Sequence, residues 1–151
     1  MAERKVWVFF YGSYINFGVL QEAGLVPGQW EVGLLHGFDI RIQPRANLVP
    51  SEGHCVYGIV ATATHAELAR LYAHARDVLG EVYLPEAVLV QTLDGKWLPA
   101  LCYLCPQMQP RPAEDDYVER IAGPARAYGF PGWYVARIEG FRKGDADERQ
   151  P

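Results

Sequence analysis

The segment Tyr11-Gly12-Ser13-Tyr14-Ile15 carries the residue types best suited to chemistry, and it follows an apolar run that predicts a buried strand. Gly12 has no Cβ, so the backbone can turn sharply there or approach a ligand closely. Ser13 adds a hydroxyl group. Consecutive backbone N–H groups between a strand and a helix can bind an anionic or polarised oxygen. The segment therefore predicts a small oxyanion-binding loop, with a plain strand-to-helix turn as the alternative.

Three other groups of polar residues have both a chemical and an ordinary structural interpretation. His74 and Asp77 lie three residues apart on a predicted helix and could form an acid–base pair, although such side chains usually face solvent. Glu114-Asp115-Asp116 could bind a cation, but it is more typical of a solvated turn. Cys102 and Cys105 lie in a predicted strand, where residues three apart point to opposite faces. A shared zinc or redox site is therefore not expected.

The length and composition indicate a single domain, whereas the expected small-molecule ligand follows from the loop described above. The chain has 151 residues and is 50% hydrophobic, which fits a domain of about 100–150 residues. Its net charge of −4 argues against a nucleic-acid binder. No apolar run approaches the ~18 residues of a membrane span, and the N-terminus lacks the apolar segment of a signal peptide. We therefore expect a cytoplasmic protein without nucleic-acid or membrane partners; the sequence leaves the oligomeric state open.

The order of elements predicts an α+β fold with a mixed, barrel-like β-sheet and a few flanking helices. A capping box at Thr64 and Glu67 begins the clearest helix, which Gly80 ends. A second helix is predicted over residues 117–128, and residues 141–151 are expected to form a charged, mobile tail after a single domain over residues 1–140. Strands are predicted at Val6–Phe10, Trp30–Leu35, Phe38–Ile42, Cys55–Ala61, Ala87–Gln91, Lys96–Cys105 and Trp133–Ile138, with a loop over Pro44–Gly53.

Several motifs resemble those of the gamma-glutamylcyclotransferase family over roughly residues 6 to 135. Tyr11-Gly12-Ser13 resembles the family's Tyr-Gly-Ser-Asn-Leu signature at the end of the first strand. Val56-Tyr57-Gly58-Ile59-Val60 is similar to the family's Val-Trp-Gly-Val-Val strand, and Gly129-Phe130-Pro131 is similar to its Gly-Leu-Pro. The family also has one tyrosine after the helix, one in a later strand and one opening the next helix, which match Tyr83, Tyr103 and Tyr117.

This chain departs from the family pattern at two positions. Tyr14 stands where the signature has asparagine. The family's catalytic glutamate precedes the post-helix tyrosine by six or seven residues, where this chain has Asp77 and Arg76. On this spacing Asp77 is the expected catalytic carboxylate. Glu81 is the alternative, since on an extended backbone it shares a face with Tyr83.

The resemblance implies an enzyme that cyclises a γ-glutamyl amine or amino acid to 5-oxoproline and releases the amine, with no metal or organic cofactor. Asp77 would take a proton from the substrate ammonium, and residues 11–15 would bind the carbonyl oxygen as it gains charge. The post-helix, strand and helix tyrosines would orient the substrate. The alternative is a catalytically inactive module that binds a carboxylate-bearing ligand. It is indicated by Arg76, whose charge would oppose the binding of an ammonium group.

Overall fold

The structure is a computed structural model that describes residues 3–142. Strands and helices alternate irregularly along the chain, and no helix within residues 3–142 is long and apolar enough to cross a membrane. The elements are β1 (Lys5–Phe10), a 3-10 turn (Ser13–Ile15), α1 (Phe17–Glu22), β2 (Trp30–Ile42), β3 (Ala46–Thr64), α2 (His65–His74), a π turn (Ala75–Leu79), β4 (Leu84–Thr92), β5 (Trp97–Leu104), α3 (Asp115–Ala127) and α4 (Gly132–Glu139).

The strands form one mixed sheet that closes on itself in the order β1-β3-β2-β4-β5. All neighbours are antiparallel except β1 and β5, which pair in parallel at Val8 and Leu101. Side chains of β1 and the second half of β3 fill the core, including Phe9, Phe10 and Ile59. The predicted α+β fold with a mixed, barrel-like sheet is therefore confirmed.

The predicted loop over Pro44–Gly53 is wrong, because β3 already begins at Ala46. β2 and β3 form one long hairpin whose pairing starts at Ile42 and Ala46. This first part of β3 pairs with β2 only, since β1 pairs with residues 59–64. Pro50 therefore lies where no second neighbour needs its missing N–H, which is the position in a sheet that tolerates proline.

The predicted capping box of α2 is present. The Thr64 hydroxyl accepts a hydrogen bond from the Glu67 N–H at 3.1 Å, and the Glu67 carboxylate accepts one from the Thr64 N–H at 2.9 Å. The helical segment formed by α2 and the π turn ends at Gly80, as predicted, and the φ of 78° at Gly80 is left-handed. Between the end of α2 at His74 and Gly80, the helical turn widens into a π turn from Ala75 to Leu79. This widening changes the direction of the side chains that follow His74.

The predicted last strand over Trp133–Ile138 is wrong, because these residues form α4. The helix buries Tyr134, Val135 and Ile138, and this spacing presents one apolar face to the domain. Pro131 stands at the start of the helix, where its fixed φ is favourable. The apolar run was short enough to fit either element, and its helical spacing was the distinguishing signal.

The domain continues through the first two residues of the expected tail. Phe141 packs against the hydrophobic core. The Arg142 guanidinium forms ion pairs with Glu119 at 3.1 Å and with Glu139 at 2.9 Å. The rest of the predicted tail, residues 143–151, lies outside the described residues.

Candidate functional site

Five buried tyrosines from separate parts of the chain meet beyond the end of β1. Tyr11 and Tyr14 flank the glycine-serine loop, Tyr83 precedes β4, Tyr103 lies in β5, and Tyr117 lies in the first turn of α3. None is more than 7% exposed. We call these five residues the tyrosine cluster. The sequence predicted each of them as a substrate-binding residue, and the structure brings them together.

Tyr103 is the centre of the tyrosine cluster. Its ring stacks on Tyr11 with centroids 4.6 Å apart and makes edge contacts with Tyr14 at 6.0 Å and Tyr83 at 5.4 Å. The Tyr11 N–H donates to the Tyr103 hydroxyl at 3.2 Å, while the Tyr11 hydroxyl donates to the Tyr103 carbonyl at 2.6 Å. These paired bonds tie the end of β1 to β5 and fix the position at which the loop begins.

Ala46 connects the rest of the cluster through its backbone. Its N–H donates to the Tyr117 hydroxyl at 2.8 Å, and its carbonyl accepts a hydrogen bond from the Tyr83 hydroxyl. Gly12 packs directly on this residue, since a Cβ at position 12 would lie 2.5 Å from the Cβ of Ala46. Carbon atoms approach no closer than about 3.5 Å without repulsion. The close approach to Ala46 therefore requires glycine at position 12.

The loop between β1 and α1 presents backbone donors beside the tyrosine cluster. Ser13, Tyr14 and Ile15 form one 3-10 turn, and all three are buried. Ile15 is held by a hydrogen bond from Tyr128, whose hydroxyl donates to the Ile15 carbonyl at 2.8 Å. Within residues 3–142, no acceptor takes the N–H groups of Gly12, Ser13 or Tyr14. Buried N–H groups are rarely left unpaired, and an oxyanion would satisfy them.

Burial keeps the hydroxyl groups of the cluster protonated. It raises the pKa of Tyr11, Tyr83 and Tyr103 well above the ordinary value, and the neighbouring phenols raise it further. Burial also raises the pKa of Tyr14 and of Tyr117. A neutral phenol can donate a hydrogen bond to a substrate oxygen, but it does not accept a proton from an ammonium group near neutral pH. The cluster can therefore donate hydrogen bonds to a bound ligand, but its phenols do not act as bases near neutral pH.

The two carboxylates considered from the sequence lie apart from the tyrosine cluster. The Asp77 side chain is 65% exposed and accepts a hydrogen bond from Arg76 Nε at 3.0 Å. This bond and the charge of the guanidinium lower the pKa of Asp77. Glu81 accepts a hydrogen bond from the Cys105 thiol at 3.6 Å, and both residues line a separate cavity of about 570 Å³. The structure therefore does not bring either carboxylate into contact with the cluster.

His74 contacts the cluster, although the sequence suggested a pair with Asp77. Its Nδ1 lies 2.9 Å from the Tyr14 hydroxyl, and the two rings meet edge to face with centroids 5.8 Å apart. His74 follows the buried Leu71 by three residues, which places both on the same side of α2. This spacing is the sequence signal that could have indicated an inward-facing histidine.

Two arginines that the sequence did not single out lie beside the cluster. Arg45 places its guanidinium carbon 4.7 Å from the centre of the Tyr117 ring, and its Nε donates to the Leu79 carbonyl at 3.3 Å. A cavity of about 360 Å³ lies on this side, lined by Pro44, Arg45, Leu79, Arg111, Pro112 and Glu114. We call it the arginine cavity. With two guanidinium groups and one carboxylate, its lining has a net positive charge.

The structure also bears on the possible metal sites. Among residues 3–142, no three side chains of histidine, cysteine, aspartate or glutamate converge to form a metal site, and this includes the acidic run Glu114-Asp115-Asp116. Cys102 and Cys105 are both buried free thiols, and Cys105 points to Glu81.

Comparisons with known proteins find one family and several solved structures that are similar to this chain. Residues 8–121 match the family described as "Gamma-glutamyl cyclotransferase, AIG2-like". A solved structure described as a gamma-glutamyl cyclotransferase has a TM-score of 0.76 and 21% identity, covering 90% of this chain and 87% of its own. An uncharacterized human protein has a TM-score of 0.75 and 22% identity, with 91% and 88% covered.

A further solved structure is less similar to this chain. A yeast cyclotransferase specific to glutathione has a TM-score of 0.65 and 14% identity, covering 93% of this chain and 96% of its own. At such identities the solved structures show a shared fold. No curated protein matches this chain in sequence. The family match, however, extends from β1 into α3 and includes every residue of the tyrosine cluster. The chain therefore belongs to the gamma-glutamyl cyclotransferase, AIG2-like family.

Proposed function

We propose that this protein cyclises a γ-glutamyl compound to 5-oxoproline and releases the attached amine. The observation that carries the proposal is the loop of Gly12, Ser13 and Tyr14, whose three backbone N–H groups have no acceptor within residues 3–142, set against a cluster of neutral tyrosine hydroxyls in a chain of this family. In this reaction the substrate's α-amine attacks its own side-chain amide carbonyl. No water molecule is consumed, and the proposal requires no metal or organic cofactor.

The loop would act on the carbonyl oxygen of the substrate. That oxygen gains negative charge as the α-amine adds to the carbonyl carbon, and fixed N–H donors stabilise the charge without having to reorganise. The loop is fixed on both sides, since Tyr11 is bonded to Tyr103 and Ile15 accepts from Tyr128. One such donor typically raises kcat by a factor of ~10²–10³. The loop would therefore supply a large part of the catalysis.

The arginine cavity supports a narrower choice of substrate. Arg111 is exposed, and no ion pair within residues 3–142 uses it. Arg45 is fixed between the Leu79 carbonyl and the Tyr117 ring. Guanidinium groups bind carboxylates with good geometry. We therefore infer that the leaving group carries a carboxylate, which makes a γ-glutamyl amino acid a better substrate than a γ-glutamyl amine.

The test is to incubate the purified protein with a panel of γ-glutamyl amino acids and γ-glutamyl amines and to follow both binding and consumption. We expect consumption with release of 5-oxoproline, fastest for the amino acids. Isothermal titration that shows binding of compounds which then remain intact would instead support the binding module. That module is also consistent with the ion pair between Asp77 and Arg76, because this pair already occupies the Asp77 carboxylate.

A further inference from the structure

The proposed reaction needs a group that removes a proton from the substrate, and the tyrosine cluster does not contain one. An α-amine is protonated near neutral pH and must become neutral before it can attack a carbonyl carbon. The phenols of the cluster have raised pKa values because they are buried, so they remain protonated. Arg45 contacts the Tyr117 ring, but it cannot act as the base because arginine stays charged in proteins.

The carboxylates near α2 are occupied elsewhere. Asp77 is exposed on the π turn and bonded to Arg76. Glu81 is bonded to the Cys105 thiol beside a different cavity. Either residue would have to leave its partner and turn toward the cluster in order to reach a substrate there.

His74 is already in place. It is the last residue of α2, it is half-buried, and its Nδ1 lies 2.9 Å from the Tyr14 hydroxyl. Tyr14 in turn contacts Tyr103 at the centre of the cluster and belongs to the loop that presents the N–H donors. A neutral imidazole is a competent proton acceptor. The contact therefore joins such an acceptor to the loop that would bind the substrate.

We propose that His74, oriented by Tyr14, is the proton acceptor for cyclisation and replaces the glutamate that other members of the family carry. This inference rests on the proposed function. In the tautomer whose Nδ1–H donates to the Tyr14 hydroxyl oxygen, His74 takes one proton from the α-ammonium at Nε2. The neutral substrate nitrogen then forms a bond to the side-chain carbonyl carbon. The bond from that carbon to the leaving nitrogen breaks. Two protons in all leave the attacking nitrogen, both end on the leaving amine, and His74 returns to its neutral form.

The surroundings of His74 allow a pH test. On its own helix, Arg70 donates to the Gly24 carbonyl and Asp77 is paired with Arg76. Tyr14, which belongs to the 3-10 turn, faces the His74 ring. No ion pair to His74 occurs within residues 3–142. Exchanging the imidazole for a carboxylate therefore changes the chemistry of the base without breaking a salt bridge.

The experiment measures 5-oxoproline release by the wild-type protein and by His74→Gln, His74→Glu and the control His65→Gln. His65 is exposed on the same helix, so its variant tests for general effects of losing a histidine. For His74→Gln we expect kcat to fall by ~10²–10⁴, the usual contribution of a general base, with an unchanged circular dichroism spectrum. His74→Glu should recover turnover, with the acid limb of its kcat/KM profile at lower pH than in the wild-type protein, because a carboxylate is a weaker base than an imidazole.

A second readout separates this inference from the proposed function. In the wild-type protein, 5-oxoproline should shift the ¹⁵N resonances of the His74 ring, assigned by their loss in His74→Gln. Wild-type turnover together with undiminished turnover by His74→Gln would overturn the role of His74 and leave the proposed function intact. Turnover that is lost in Asp77→Asn but kept in His74→Gln would return the role to Asp77. Absence of wild-type turnover would overturn the proposed function, and absence of a ring shift as well would remove His74 from the ligand site.

Discussion

Replacing Gly12 by alanine tests the close contact on which the site is built. The new Cβ would lie 2.5 Å from the Cβ of Ala46, and neither atom is the flexible end of a long side chain. The backbone must therefore move. Ala46 is bonded on both sides, to Tyr117 through its N–H and to Tyr83 through its carbonyl, so a shift would disturb the tyrosine cluster as well.

The size of the effect follows from the cost of overpacking. Adding a methyl group to a well-packed core typically costs ~1–3 kcal/mol. For a domain of this size, that range corresponds to a fall in Tm of about 2–12 °C. The assay is thermal and urea unfolding of Gly12→Ala beside the control Gly132→Ala, because a Cβ at Gly132 would meet no atom within 4 Å. The control should keep Tm or raise it slightly, because Gly132 lies in α4 and alanine loses less backbone entropy in a helix than glycine does.

A double variant shows whether the predicted contact is the cause. Gly12→Ala/Ala46→Gly moves the methyl group from one residue to the other, so the clash disappears. The double variant should be more stable than the sum of the two single changes predicts, by about 1 kcal/mol or more, which is a coupling typical of residues in contact. Additive effects, or a Gly12→Ala protein as stable as wild type, would refute the reasoning.

Three further outcomes follow from the structure. Arg111→Gln should raise KM for γ-glutamyl amino acids by up to about fivefold, the range of an exposed ion pair, and should leave KM for γ-glutamyl amines unchanged. Arg4→Gln is the control. Equal effects on KM for both kinds of substrate would contradict a carboxylate subsite. Burial acts to raise the pKa of the Glu67 carboxyl, but hydrogen bonds from two backbone N–H groups and from the Thr64 hydroxyl lower this pKa overall. The ionised carboxylate therefore stabilises the folded protein above a pH of about 4.3, the ordinary pKa of glutamate. This stabilisation is lost as the pH falls through the lower pKa of the folded state. The stability gap between wild type and Glu67→Gln in urea should therefore narrow from pH 7 to pH 3, and a gap that widens would reverse the argument. Burial raises the pKa of Cys102 to about 12, so a thiol reagent at pH 8 should modify half-exposed Cys55 first and Cys102 only on unfolding; equal labelling rates in the native protein would contradict its burial.

The elements governed by local rules could be predicted from the sequence. Thr64 and Glu67 act on one another across three residues, so the start of α2 is visible in the sequence alone. Gly80 ends the helix for an equally local reason, the freedom of glycine to adopt positive φ. Asp94-Gly95 is a hairpin turn signal of the same local kind, and it lies between the paired strands β4 and β5.

The elements decided by distant pairing could not be predicted in this way. Pro44–Gly53 has the composition of a loop, yet pairing with β2 makes most of it strand. Pro50 is tolerated because β1 does not pair with that part of β3. Which strands pair there cannot be predicted from the local composition. Trp133–Ile138 was ambiguous for the opposite reason, since a short apolar run fits a strand or a buried helix face.

The site shows the same division between residue type and geometry. The tyrosines and the glycine-serine loop were indicated by family motifs, and the structure brings them together. Their contact with Ala46 depends on the β2–β3 hairpin, and the directions of the side chains that follow His74, including Asp77, depend on the π turn; neither element was predicted from the sequence. The catalytic role of Asp77, the cytoplasmic location and the absence of nucleic-acid and membrane partners stay predictions.

The most direct test of the account is to quantify the products that the purified protein forms from a γ-glutamyl amino acid. Cyclisation consumes no water, so we expect 5-oxoproline and the free amino acid in equal amounts and no glutamate. Release of glutamate would mean that water attacks the carbonyl instead of the substrate's own amine. Substrate that binds but remains intact would show that the loop and tyrosine cluster form a binding site without cyclotransferase activity.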